Sequence, residues 1–360
     1  MNAEMPGRSN TIRDVAQRAG VSISTVSKAF NNRLDLSADT RSRVLAAAAD
    51  LHYKPNALIR SLRRGSTRTV GIYATWGVHI DCSRDITGRV ARGLADGLAE
   101  TGYDALHYSS FKDRTPGNIA ATFLDGRVDA VIVMPKSIDR QGYVALVEQG
   151  LPTVALYDRT VPDGVAYVSI DNEQGVLDAM DHLFALGHRR IGFFAPYYTP
   201  DFDERAKSYR RAFERRGVPY DGTLMAYERE SVLDASTACD RLLSLGDPVT
   251  AIMASDDNVA MEIWAALRKC KVRVPGQISL VGFDDVDAAL SPHRLTTVRQ
   301  PAMEVGRLAA LFAARMIDGT VADECRVVLP VKLIVRKTTK KIGTFVPDRA
   351  ASATAKGARG

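Results

Sequence analysis

From Thr69 onward the chain alternates between short apolar runs and longer stretches of helical periodicity. The runs VGIYAT, DAVIVMP, PTVALY, IGFFAP, AIMAS and SLVGFD are rich in β-branched and aromatic residues and bounded by polar or turn residues. Near-continuous apolar runs of this length are what strands buried on both faces require. Helical periodicity fills 87–101, 173–187, 203–217, 257–270 and 302–318 between and after them. Strand–helix alternation leaves few folds open: right-handed crossovers building parallel, doubly wound sheets, whose ligands sit beyond the carboxyl ends of the strands. The stretch from 69 to 340 has room for two such sheets.

The first 54 residues follow a different plan. Thr11 with Asp14 forms an S/T-x-x-D/E cap ahead of Ile12, Val15, Ala16 and Ala19. Gly20-Val21 breaks the chain, and Ser22 caps a second helix, SISTVSKAF, with Val26 and Phe30 on one face. Ser37 caps a third through Val44, Leu45, Ala48 and Leu51. Two short helices across a tight glycine turn, closed by a third, are a helix-turn-helix unit. A plain protein–protein module is the other use of three such helices. Ile23, Ser24, Ser27 and Lys28 point away from the apolar face.

Charge separates these uses. The net of +6 conceals +7 on residues 1–68, −7 on 69–335 and +6 on 336–360. A basic head on an acidic body points to a polyanion at one end, and with the helix-turn-helix pattern that polyanion is DNA. No apolar run is long enough for a membrane span, and MNAEMPGRSNTIRD has no apolar export core, so a cytoplasmic, nucleoid-associated protein is expected. Cys82, Cys239, Cys270 and Cys325 lie far apart and are expected to be buried thiols. The six histidines show no ligand spacing, so no metal or other cofactor is expected. Nucleophile-elbow, P-loop and dinucleotide motifs are absent, which argues against an enzyme.

The segments TIRDVAQRAGVSISTVSKAFNN, then S-x-x-T-R-x-x-V-L-x-A-A, then LHYKPNALIRSLRRGSTRTVGIY resemble the opening of the lac/galactose repressor family of bacterial transcription regulators. The match runs in order through 10–75 and resumes at YVSIDNEQG, HLFALGHRRIGFF, VRVPGQISLVGFDD, LTTVRQP and LPVKLIVRKTT. The resemblance implies that the second helix enters the major groove with Ile23, Ser24 and Lys28 at base-reading positions. Lys28 suits guanine O6/N7, Ser24 a donor or an acceptor, and Ile23 a thymine methyl. Ser22, Thr25 and Ser27 would hold phosphates, with Thr25 and Val26 equally readable as structural.

Pro55 suits a first helical position, but the short helix it opens is marginal alone. Family likeness makes 55–68 a hinge helix and linker that forms when two copies pair on DNA. Leu62 would then wedge into the minor groove, kinking the duplex; packing on its own domain is the alternative. Ile59 stands where the family usually has alanine. The tail after Lys341 carries no leucine heptads of the kind that make some members of the family tetramers, so a homodimer is expected.

The same likeness makes 69–340 a periplasmic-binding-protein-like body of two lobes. One is expected at 69–168 with 297–324, the other at 169–296 with 325–340. Residues 1–9 and the basic tail 341–360 are expected to be disordered. Asp158 follows PTVALY, Arg205 lies in a helix before Tyr209, Asp256 follows AIMAS and Asp284 follows SLVGF. Carboxylates facing one arginine sort hydroxyl-rich ligands, although each acid alone also reads as a helix cap. In the family, the positions matching Arg205, Asp256 and Asp284 line the effector site, commonly for sugars and less often for purines or nucleosides. Asp256 stands where asparagine is usual, removing an amide donor and adding charge. Trp76 either stacks on a sugar face or packs in the core. The whole is expected to be a repressor of double-stranded operator DNA answering to a sugar-like effector, the rival being a solute-binding protein of the same two-lobe fold.

Overall fold

The structure is a computed structural model, and it describes residues 10–30, 36–53, 65–74, 86–109, 121–135, 138–227, 233–286 and 294–342. The chain divides into two units between Arg68 and Thr69.

The head unit comprises α1 (Ile12–Ala19), α2 (Ile23–Phe30) and α3 (Ala38–Asp50). Asp14 accepts from the backbone N–H and the hydroxyl of Thr11, both at 2.7 Å, which seals the start of α1. Gly20 ends α1 at φ 65°, a left-handed conformation that costs glycine little, and sends the chain straight into α2. Ser22 accepts from the Thr25 N–H at 3.1 Å and Ser37 from the Thr40 N–H at 3.3 Å. Val15, Ala16, Val26, Ala29, Val44, Ala47 and Ala48 form the core. Leu45, expected on the apolar face of α3, is exposed instead.

The body holds two six-stranded sheets. The first contains β1 (Thr69–Ala74), β2 (Asp104–Ser109), β3 (Ala130–Val133), β4 (Thr153–Leu156), β5 (Ala166–Ile170) and β11 (Arg326–Leu329). Its order is β11-β5-β4-β3-β1-β2, parallel throughout. The second contains β6 (Ile191–Ala195), β7 (Met225–Tyr227), β8 (Ala251–Ala254), β9 (Ser279–Asp284), β10 (Thr296–Arg299) and β12 (Lys332–Ile334). Its order is β12-β10-β9-β8-β6-β7, with only β12 antiparallel. The longer helices around them are α4 (Ile86–Thr101), α5 (Arg140–Glu148), α6 (Asn172–Ala185), α7 (Pro200–Arg216), α8 (Ala235–Leu243), α9 (Asp257–Lys269) and α10 (Ala302–Ile317). This is the doubly wound two-lobe body the alternation requires.

The strand pairing moves the lobe boundaries away from those expected. Arg326–Leu329 pairs with Tyr167–Ile170 and so belongs to the first lobe, whereas Thr296–Arg299 pairs with β9 in the second. The chain changes lobe at Asp171, at Gln300-Pro301 and at Pro330-Val331. Two of these crossings carry proline, which has no N–H to extend a ladder.

Backbones approach closely where α4 meets α10. A Cβ on Gly93 would overlap the Met303 carbonyl, and one on Gly306 would overlap the Val90 carbonyl. Side-chain-free positions on both helices are therefore required for this contact. Cys239 and Cys325 are buried, but Cys270, at the end of α9, is exposed rather than buried.

Candidate functional site

A cavity of about 420 Å³ opens between the lobes. The first lobe contributes Ile86, Thr87 and Val90 from α4, Met134 and Pro135 after β3, and Tyr157 after β4. The second contributes Tyr197, Thr199, Asp201, Phe202, Arg205, Asp256, Asn258 and Asp284, and Gln300 lies at a crossover. Most of these residues follow the carboxyl ends of parallel strands, where such sheets bind ligands.

Each polar wall residue is placed by a local signal. β6 runs into Thr199, whose hydroxyl accepts from the Phe202 N–H at 3.1 Å and caps α7. Pro200 occupies the first turn, leaving Asp201 and Arg205 one turn apart on the cavity face. Asp256 caps α9 by accepting from the Val259 N–H at 2.8 Å. Asp284 ends β9 at φ 114° and Tyr157 follows β4 at φ 57°, both in left-handed backbone that side chains adopt at a cost.

Arg205 is the hub. It is 1% exposed. Its Nε donates to Asn172 Oδ1 at 2.8 Å and its Nη1 to the Ser255 carbonyl at 2.5 Å. Nη2 pairs with Asp201 at 3.4 Å and Nη1 with Asp284 at 3.8 Å. The guanidinium also lies 3.7 Å from the centre of the Phe283 ring, a cation–π contact. Gln300 Nε2 donates to Asp284 Oδ1 at 2.5 Å. Burial pushes the Asp256 carboxyl up to about 6 despite Arg205. Asp284 is held well above the carboxylate range by burial, with Asp256 and Asp257 adding to the rise against Arg205.

Behind the wall, Asp257 accepts from the Thr297 hydroxyl at 2.5 Å and the Val286 N–H at 3.0 Å, tying α9 to β10 and to the backbone just past Asp284. Burial pushes its carboxyl up to about 8. Arg89 of α4 crosses between lobes to donate to the Asp285 carbonyl at 2.9 Å. Asp285 in turn binds Arg299 and Arg336, both at 2.6 Å.

Arg205, Asp256 and Asp284 line the same cavity. Asp158 is not among the cavity-lining residues: its carboxylate accepts from the N–H and hydroxyl of Thr160, at 2.8 and 2.6 Å, in a surface turn. Tyr157, one residue earlier, lines the cavity instead, because the left-handed kink comes at the end of β4. Asp201, Tyr197 and Gln300 were not singled out, although Asp201 had a signal, lying four residues before Arg205 on one helix face. Trp76 and Leu62 lie outside the described residues. In the head, Ile23, Ser24 and Lys28 are exposed on one side of α2, Ser22 is exposed before it, and Thr25 and Ser27 are half-buried. Val26 is core.

No described helix is long and apolar enough to cross a membrane. No group of three or more His, Cys, Asp or Glu side chains among the described residues is placed to hold a metal ion.

Comparison with known proteins places both units. Residues 11–56 match the model described as bacterial regulatory proteins, lacI family. Residues 180–339 match a periplasmic binding protein-like domain. The HTH-type transcriptional regulator DegA of Bacillus subtilis (strain 168) is 30% identical over 350 residues, spanning 93% of this chain and 99% of DegA. Among solved structures, the transcriptional regulator CelR–cellobiose complex aligns at TM-score 0.67 and 29% identity over 91% of this chain and 99% of that one. The lac repressor dimer bound to operator and the anti-inducer ONPF shares the fold at TM-score 0.79 and 24% identity, over 92% of this chain and 100% of that one. A helix-turn-helix head of the lacI type, joined to a two-lobed body and matched along nearly the whole length of DegA, makes this chain a member of the LacI/GalR family of bacterial transcriptional regulators.

Proposed function

We propose that this regulator is a cytoplasmic, nucleoid-associated homodimeric repressor whose operator affinity is lowered when a sugar or sugar derivative occupies the cavity between its lobes. The observation that carries this reading is the buried Arg205, ringed by Asp201, Asp256 and Asp284 where the second sheet's strands end. A concave, largely preformed pocket with a few convergent polar groups is what a small polar ligand needs. That CelR binds cellobiose on the same fold supports a sugar.

On the DNA side, α2 enters the major groove. Ile23, Ser24 and Lys28 read bases, while Ser22, Thr25 and Ser27 hold phosphates. Leu62 wedges into the minor groove from the hinge segment, and two heads on a twofold axis meet a near-palindromic operator. Within the dimer, each body divides into lobes that change over at residues 171, 300–301 and 330–331.

Selection of bound duplexes from a randomised pool by the full chain supplies the operator and tests this half. The selected sites are expected to be near-palindromic. Lys28→Ala is expected to relax preference at one base pair per half-site, by about 1–3 kcal/mol of discrimination. Leu62→Ala is expected to reduce DNA bending. A uniform affinity loss for Lys28→Ala would assign it to phosphate, and an unchanged bend angle would remove the wedge. Recovery of no preferred sequence, alongside tight ligand binding, would favour the solute-binding alternative.

A further inference from the structure

We propose that the effector is cationic: a sugar-sized, hydroxylated molecule carrying a protonated amine. This rests on the assignment of the inter-lobe cavity as the effector site. The charged side chains among the described lining residues are Asp201, Asp256, Asp284 and a single Arg205. Arg205 donates through Nε and Nη1 to Asn172 and Ser255 and is ion-paired with Asp201 and Asp284. A phosphate or carboxylate on the ligand would thus meet three acids and one arginine already paired with two of them.

Two buried polar atoms in the same wall ask for a partner. The Gln300 side chain is 5% exposed; its Nε2 is used on Asp284, and its Oε1 has no hydrogen-bond partner. The Tyr157 hydroxyl, on a side chain 7% exposed, also has none. Buried unpaired polar atoms are costly, and Gln300 Oε1 can only accept. The wall is therefore rich in acceptors and net negative, complementary to N⁺–H donors. The side chains of Tyr157 and Tyr197 line the same space and suit an ammonium group, while the Phe202 ring already lies under the Arg205 guanidinium at 5.5 Å. No three His, Cys, Asp or Glu side chains among the described residues are placed to hold a metal ion, and the cation proposed is an organic amine.

Burial pushes the Asp256 carboxyl up to about 6 and raises that of Asp284 as well. The groups facing them are Asp201 and Arg205 from α7, Asp257 from α9, Tyr157, Tyr197 and Gln300. An incoming ammonium supplies the missing counter-charge, and the carboxyls release protons as it binds.

The test uses the full chain and matched probes. These are neutral monosaccharides and disaccharides, their free-amine counterparts, their N-acetylated forms, and their phosphates or uronic acids. Binding is read by thermal shift and by isothermal calorimetry in phosphate and Tris at pH 7. An amine member should bind more tightly than its neutral, acetylated and anionic counterparts, with net proton release. Asp256→Asn keeps a residue competent to cap α9 and should cut the amine's advantage over its neutral counterpart roughly tenfold. Equal or tighter binding of a neutral or anionic counterpart to the wild type, or no thermal shift from any amine, overturns the proposal. A neutral sugar that binds and alters operator affinity would do so while leaving the effector-site assignment standing. An amine that binds without altering operator affinity would instead remove that assignment.

Discussion

Asp257 shows what one buried carboxyl does to this molecule. It is fully buried, yet it holds Thr297 and the Val286 N–H and so braces the end of β9. Its carboxyl titrates near 8 in the folded chain against an ordinary 3.8, so the folded state keeps a proton that the unfolded state gives up. Its contribution is therefore whole below about pH 4 and is lost as pH rises through 8. Asp256 and Asp284 shift in the same direction. Thermal stability is expected to fall as pH rises from about 4 to about 8, with a shallower slope in Asp257→Asn. A wild-type profile that rises over that range would contradict the assignment. Single residues were legible when their position followed from strand ends and caps, as with Arg205, Asp256 and Asp284. Asp158 was misplaced because a left-handed kink at Tyr157 turns the chain one residue early, and side chains reveal little of that backbone choice.

At the scale of elements, the contact between α4 and α10 sets the floor of the first lobe and carries Ile86, Thr87 and Val90 to the cavity. Gly306→Ala gains about 1 kcal/mol of helix propensity but forces a methyl into the Val90 carbonyl. Parting two packed helices costs about 1–3 kcal/mol or more, so the net effect is expected to be destabilising. The measurement is a lowered Tm together with weakened ligand binding; an unchanged Tm would show that the helices can separate freely. Strands β1, β3, β4, β6, β8 and β9 are legible in the sequence because they are central and apolar. β2, β7, β11 and β12 are edge strands, and β11 and β12 are only three or four residues long, open on a basic residue and are partly exposed. Helices α5 and α8 are short at 9 residues each, which gives periodicity little length to show itself.

At the scale of the whole molecule, the two lobes of the body are joined by three crossings and by the Arg89–Asp285 bond beside the cavity. The two-lobe plan was legible from alternation alone. The order of the strands was not, because the partner of a parallel strand lies on the far side of a helix rather than across a turn. β11 accordingly pairs with a strand more than a hundred residues upstream. A ligand can change operator affinity only by its different affinity for two arrangements of the lobes. Arg205 reaches Asp201 and Ser255 within the second lobe and lines the space shared with the first. Removing it breaks a buried charge cluster at a cost of about 3–5 kcal/mol, in a body large enough to remain folded. The direct measurement is anisotropy of the selected operator duplex, titrated with the full chain with and without saturating effector, for wild type and Arg205→Ala. Effector is expected to weaken wild-type binding by roughly 5–150-fold, and Arg205→Ala to bind operator like the ligand-free wild type whether effector is present or not. An unchanged wild-type affinity at ligand saturation, or an Arg205→Ala protein that still responds, would contradict the coupling of cavity to operator.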